Sequence, residues 1–414
     1  MGYTQESIAE KVQVDRSTIV RWERGETDPL PWLRIRIANA LDLTLDELDE
    51  HLTHIVVVPS RPRARRDATT TVDPNPGGDP SVDRRTFTLS TALASLGVMS
   101  PLRDWITSPD VPAKLGMDQM RMVAATIEQF RQADAATGGD LLCDVAITMH
   151  RRLTRWEREA SYDHHVREAL QESLGDLEAQ IGWLALDAER RPESRRYLQD
   201  AVLRARLRDD PQLEVRALQQ LSMLVRDTDP HEALRLAEAA QRIAAPWATP
   251  RLSTLLHLRS MFAYAVANDT SGFNREATKA KIAFDRGTRE DDQPYLGFVN
   301  GDELHGVEGI AQLALGQPRL AESCIRQGIE EADPAYHRNV VISNVQLAEA
   351  LRRQGDYIGA SDLALASVPA VTEINSRRTR QMFAQLRTNL GEIAPRVPRA
   401  RDFAAAYDSA VATR

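Results

Sequence analysis

Three arginines stand close together near the start of the chain, Arg16, Arg21 and Arg24, with Ser17 and Thr18 beside the first of them. A guanidinium presents a rigid planar fork of donors that suits a phosphate or a guanine edge, and a neighbouring hydroxyl adds a short donor or acceptor. The chemistry open to this set is hydrogen bonding to a polyanion rather than the making of bonds. The rest of the chain offers no catalytic set. It has no Gly-rich phosphate loop, no Gly-x-Ser-x-Gly, no Cys-x-x-Cys or His-Glu-x-x-His spacing, and no spaced group of His, Asp and Glu. The expectation is a protein that is not an enzyme and needs neither metal nor cofactor.

Residues 4–25 read TQESIAEKVQVDRSTIVRWERG. The first part is a short amphipathic helix with Ile8, Ala9 and Val12 on one face. A tight turn follows at Val12-Gln13-Val14. Asp15 stands where a helix N-cap belongs, and Arg16–Glu23 forms a second helix with Ile19, Val20 and Trp22 as its apolar positions. Arg21 lies one turn beyond Ser17 and Thr18, on their face. A second helix of this kind is the part that fits a major groove. Val12, Ile19, Ile35, Ile37 and Leu41 are read as core, and Trp22 as core-filling with no base contact.

The pattern resembles the Xre/lambda-repressor class of helix-turn-helix DNA-binding domains, in which a T/S-Q-x-x-[IL]-A opening and a W-E-x-G closing recur. The likeness continues through Pro29, Trp32, the apolar positions Ile35, Ile37, Ala38 and Leu41, and then Leu45, Glu47 and Leu48. It implies a head that binds double-stranded DNA. Gln5 would contact a phosphate, helped by the helix N-terminus. Arg16 and Ser17 would face base edges, while Thr18 and Arg24 position the backbone. A bidentate contact from Arg16 or Arg21 to guanine is worth about 1–3 kcal/mol of discrimination. The family has one more helix ahead of the TQ pair, so this head is expected to lack its first helix or to continue upstream.

The chain has 414 residues and a net charge of −8, which argues against a general nucleic-acid coat but not against a small reading head. Residues 1–60 hold six Lys/Arg and eleven Asp/Glu, and the acids gather late, at Asp42, Asp46, Glu47, Asp49 and Glu50. Charge is segregated but weak, so firm binding calls for dimerisation or for the basic cluster Arg61, Arg63, Arg65 and Arg66. Ala, Leu and Arg dominate and β-branched runs are scarce, which predicts an all-α protein. No apolar stretch approaches the length of a membrane span. Asp83-Arg84-Arg85-Thr86-Phe87 mimics a twin-arginine export signal, but it is internal and is set aside as one. Cys143 and Cys324 are isolated and read as buried, reduced thiols of a cytoplasmic protein. His150, His164 and His165 are read as surface residues.

Organisation follows from composition. Residues 1–57 are the helix-turn-helix head, with a capping box at Thr44–Glu47. Residues 58–82 are a flexible linker rich in Pro, Gly and charge, and 83–114 form a connecting helix and loop. From 115 to 414 helix follows helix. A small-x3-apolar-x2-small pattern recurs at Ser194/Leu198/Ala201, Ala233/Ala237/Ala240, Ala321/Ile325/Gly328 and Ala360/Ala364/Ser367, with room for a further unit around Ala277 and Ala280. This resembles tetratricopeptide repeats. The predicted fold is all-α: a head joined by a linker to a TPR-like α-solenoid with a concave face. Regulators that join such a head to such repeats, some of them peptide-pheromone receptors, bind effectors through asparagines on that face, and on this likeness Asn300, Glu303, Asn339 and Asn344 are candidate effector contacts. The composition and layout also resemble actinobacterial regulators of this type. The function expected is a homodimeric, sequence-specific transcriptional regulator that responds to a peptide, small-molecule or protein effector. The alternative is a TPR interaction scaffold with a vestigial head.

Overall fold

The computed structural model describes residues 4–12, 14, 16–23, 37–38, 40–41, 43, 111–137, 140–333, 337–374 and 376–412. The chain divides into two units, Met1–Asp83 and Arg84–Arg414. Among the described residues the regular structure is helical and no strand occurs, as predicted; Lys114 and Ser161 form an isolated bridge. The linker at 58–82, the connecting segment up to 110, the capping box at Thr44–Glu47 and the basic cluster at 61–66 lie outside the described residues.

In the first unit, helix α1 (Gln5–Val12) is followed by α2 (Arg16–Glu23). Thr4 and Ser7 cap α1 reciprocally: the Ser7 N–H donates to Thr4 Oγ1 at 3.2 Å and the Thr4 N–H to Ser7 Oγ at 3.0 Å. The turn closes through the Val14 N–H, which donates to Ala9 O at 2.9 Å. Val12, Ile37 and Ala38 form the buried centre, with Ile8, Trp22, Leu41 and Leu43 packed on it. Ile19 is also buried. The predicted core is met at Val12, Ile19, Ile37 and Leu41; Ile35 lies outside the described residues.

The second unit begins with α3 (Met117–Thr137) and α4 (Asp140–Glu159). Five helical hairpins follow: α5 (His164–Asp187) with α6 (Arg191–Leu207), α7 (Pro211–Val225) with α8 (Pro230–Ala244), α9 (Pro250–Val266) with α10 (Thr270–Phe284), α11 (Gly301–Ala314) with α12 (Pro318–Glu330), and α13 (His337–Gln354) with α14 (Tyr357–Glu373). A 3-10 turn, Pro294–Phe298, precedes α11, and α15 (Arg377–Gly391) and α16 (Pro398–Ala412) complete the unit. The helix starts are written locally. Asp163, Asp210, Asp229, Thr249, Asp269, Asn300, Asp356 and Ser376 each accept from the backbone N–H three residues on. Proline follows at once in α7, α8 and α9, where its missing N–H costs nothing. Each cap contributes about 1 kcal/mol.

The repeated small residues fall on the second helix of every hairpin. Ser194, Ala233, Phe273, Ala321 and Ala360 occupy like positions, spaced by 39, 40, 48 and 39 residues, and all are buried; in α10 the small residues are the next two of the pattern, Ala277 and Ala280. The unit expected around Ala277 and Ala280 is the α9–α10 hairpin. The facing first helices meet them closely: a Cβ on Gly182 would stand 2.4 Å from the Leu198 side chain, and one on Gly309 2.4 Å from Ile325. Ser194 Oγ donates to Gly182 O at 2.7 Å, tying α6 to α5. The first helices α5, α7 and α9 are buried on most sides, whereas α6, α8 and α12 bury only a stripe. Helix α3 packs on both α5 and α13, and α15 on both α13 and α5, so the end of this unit returns to its beginning.

Cys143 is buried and Cys324 half-buried, neither in a disulfide, and burial pushes the Cys324 thiol up to about 11. His164 and His165 are exposed as expected. His150 is not. Its side chain is only 15% exposed and its Nε2 lies 3.1 Å from Glu178 Oε1, because α4 packs its His150 face against α5.

Candidate functional site

In the first unit, packing brings together two of the residues singled out from sequence. Arg16 opens α2 and Gln5 opens α1; Arg16 Nε donates to Gln5 Oε1 at 3.4 Å. The same nitrogen lies 2.9 Å from Glu6 Oε1, and the Arg16 and Glu6 side chains are each 62% exposed. Glu6 was not singled out from sequence, yet it offsets part of the Arg16 charge. An exposed pair of this kind is weak, so the guanidinium can exchange it for a stronger anion. Thr18 is half-buried on α2. Ser17 and Arg21 belong to α2 but their side chains, like the whole of Arg24, lie outside the described residues. What the described edge can do is donate from Arg16 and Gln5 toward a polyanion.

In the second unit the first helices of the hairpins surround a cavity of about 410 Å³. Its lining comes from α3, α5, α7, α9, the 3-10 turn, α11, α13 and α15. Of the four effector candidates, Glu303 and Asn339 line it. Asn300 instead caps α11, its Oδ1 accepting from the Glu303 N–H at 3.1 Å. Asn344 is half-buried on α13 and is not among the lining residues.

The dominant feature of the lining was not anticipated. Arg131, Arg216, Arg226, Arg259, Arg338 and Arg378 all face the cavity, together with Trp183, Tyr295 and Phe298. Arg338 Nη1 donates to Asp134 at 2.9 Å and to Asp187 at 3.2 Å, and Ser376 Oγ and Arg378 Nε also donate to Asp187, at 2.9 and 3.3 Å. Burial works against the Arg338 charge, but Asp134 and Asp187 outweigh it and raise its value. Arg216, Arg226 and Arg259 are different: burial pulls all three guanidiniums below the ordinary arginine value. Arg259 pairs with Glu303 at 3.3 Å and donates to Gln219 Oε1 at 3.1 Å. The Arg226 guanidinium lies over the Phe262 ring, 4.0 Å from its centroid, and its carboxylate neighbour is Asp227, 3.6 Å away and 58% exposed. Burial raises the Asp302 carboxyl to about 6, although Ser343 Oγ donates to it at 2.9 Å.

A sequence signal for the arginines did exist. Arg259 interrupts the apolar run Leu255-Leu256-His257-Leu258-Arg259-Ser260-Met261-Phe262, and a charge inside such a run must be paired or aimed into a polar cavity.

Residues 1–48 match a family model described as Helix-turn-helix. No curated protein shows a significant match to the chain. The two short helices, their closed turn and their shared apolar centre therefore form a helix-turn-helix of the Xre kind found in DNA-binding transcriptional regulators.

Proposed function

We propose that this chain is a sequence-specific, homodimeric transcriptional regulator whose TPR-like body, residues 115–414, holds the effector site and the dimer contacts. The head, residues 1–57, reads one half-site, and residues 58–82 link it to the body. The observation that carries this reading is the exposed edge where Gln5 of α1 meets Arg16 of α2, within the segment that matches the helix-turn-helix family. Arg16, Ser17 and Arg21 face bases, while Gln5, Thr18 and Arg24 hold phosphates. Two heads on a pseudo-palindromic operator sit on half-sites about 34 Å apart, so an effector that changes their separation changes the fit. Glu303 and Asn339, on the cavity lining, are the proposed effector contacts; Asn300 and Asn344 act through the placement of α11 and α13.

The test is binding of the full chain to DNA from its own upstream region, against a scrambled duplex, at two salt concentrations. Specific and salt-sensitive binding that Arg16→Ala with Arg21→Ala removes, with fold and oligomeric state unchanged, supports the regulator. Equal affinity for scrambled DNA would favour a scaffold that binds protein partners through its repeats.

A further inference from the structure

We propose that the cavity of the second unit binds a small amphipathic organic anion, its carboxylate or phosphate held by Arg226 and Arg259 and its apolar body lying against Phe298 and Ile310. As an effector site this rests on the regulator reading; as a binding site it stands on the cavity itself.

Three observations carry it. The first is unbalanced charge. Arg226, Arg259 and Arg378 are close enough to repel one another, and burial removes the water that would screen them. Arg378 and Arg259 each have a buried or half-buried carboxylate, Asp187 and Glu303. Arg226 has the exposed Asp227 in ion-pair reach and otherwise shares Glu303 with Arg259, so three guanidiniums divide Asp187, Glu303 and an exposed acid. A buried guanidinium is stable when paired, so this arrangement gains from an incoming anion. The second observation is unmet hydrogen bonding. Among the described residues, Gln180 Nε2, Gln220 Oε1, Arg216 Nε and Arg226 Nε are buried without a hydrogen-bond partner, and all four side chains line the cavity. Gln180 is 2% exposed and Gln220 6%. Buried polar atoms in native proteins nearly always have partners, so unpartnered donors and an acceptor on side chains lining one cavity point to a ligand with polar groups of its own.

The third observation is size and wall chemistry. About 410 Å³ lies in the range of roughly 300–1,000 Å³ typical of small-molecule sites. Phe298, Val307, Ile310 and Ile342 give the lining an apolar sector. Arg338 ties α13 to α3 and α5 beside the cavity through Asp134 and Asp187. What fits is a compact molecule rather than a long extended peptide.

The test is thermal unfolding of the full chain with millimolar 3-phenylpropionate, phenyl phosphate, inorganic phosphate, or the neutral 3-phenylpropionamide. The organic anions are expected to raise Tm by at least ~2 °C and the neutral amide to leave it unchanged. A larger shift from one organic anion tells carboxylate from phosphate. Arg226→Gln, which leaves the Arg259–Glu303 pair in place, keeps the fold and loses the shift; Arg259→Gln loses it too. The proposal falls if neither organic anion shifts Tm, if the neutral amide matches them, if inorganic phosphate alone gives the whole effect, or if Arg226→Gln retains it. Operator binding by the same preparation separates the two readings. DNA binding without an anion shift leaves the regulator and overturns this site; an anion shift without DNA binding does the reverse.

Discussion

Arg338 on α13 donates through Nη1 to Asp134 on α3 at 2.9 Å, joining residues 204 positions apart, and reaches Asp187 on α5 with the same nitrogen. All three side chains are at most 7% exposed. Two buried carboxylates share one guanidinium, with Arg378 and Ser376 completing the second of them. The group joins α3, α5, α13 and α15 where the end of the second unit returns to its beginning.

Removing the shared cation takes from Asp134 its paired guanidinium and leaves it the Trp183 indole N–H, while Asp187 keeps Arg378 and Ser376. Arg338→Ala should destabilise the chain by about 3–5 kcal/mol in urea unfolding. Arg338→Met combined with Asp134→Asn should cost less than Arg338→Ala alone, because fewer stranded charges remain. A loss below ~1 kcal/mol for the single variant would show that the closure does not depend on the pair.

At Gly182 α5 meets α6 closely, against a Leu198 side chain that is fully buried. Gly182→Ala should destabilise by about 1–3 kcal/mol despite the better helix propensity of alanine. Adding Leu198→Ala, which opens the space that the new methyl needs, should make the double variant less damaging than the sum of the singles. Strict additivity would contradict the close approach.

Asp302 titrates near 3.8 when exposed and near 6 in the folded chain, because its carboxyl is buried. Folding therefore takes up a proton between those values. The group costs least below about pH 4, the cost grows as pH rises toward 6, and it is constant above that. Asp302→Asn should stabilise the chain by about 1–2 kcal/mol at pH 7.5 and change little near pH 4. Equal effects at both pH values would refute this assignment.

Glu6 pairs with the Arg16 guanidinium that is proposed to meet DNA. If the head reads DNA as proposed, Glu6→Gln should tighten operator binding a few-fold at low salt and steepen its salt dependence by about one counterion. Arg16→Ala should weaken binding and relax sequence preference. Weaker binding by Glu6→Gln would mean that the carboxylate orients Arg16 rather than competing for it.

The helix order was legible because its signals are local. Asp and Thr caps, prolines just inside helix starts and small residues at fixed offsets act within one or two turns, so the positions of the hairpins could be read from Ser194 to Ala360. Asn300 adds a role that was not read from its type: its position before Gly301-Asp302-Glu303 is that of a cap.

By itself the sequence determined the all-helical class, the two short helices that carry Gln5 and Arg16, and the pairing of each large apolar first helix with a second helix striped by small residues. Tertiary structure decided which charges meet. Asp134, Asp187, Arg338 and Arg378 lie on four helices, and no periodicity links residues so far apart in the chain. Their meeting depends on the packing of the last helices of the unit against its first, α13 on α3 and α15 on α5. The cavity and its arginines are the product of that return. Gln5, Glu6 and Arg16 show the same principle at short range: the residue types were visible, but only the packing of α1 on α2 placed the acid beside the base.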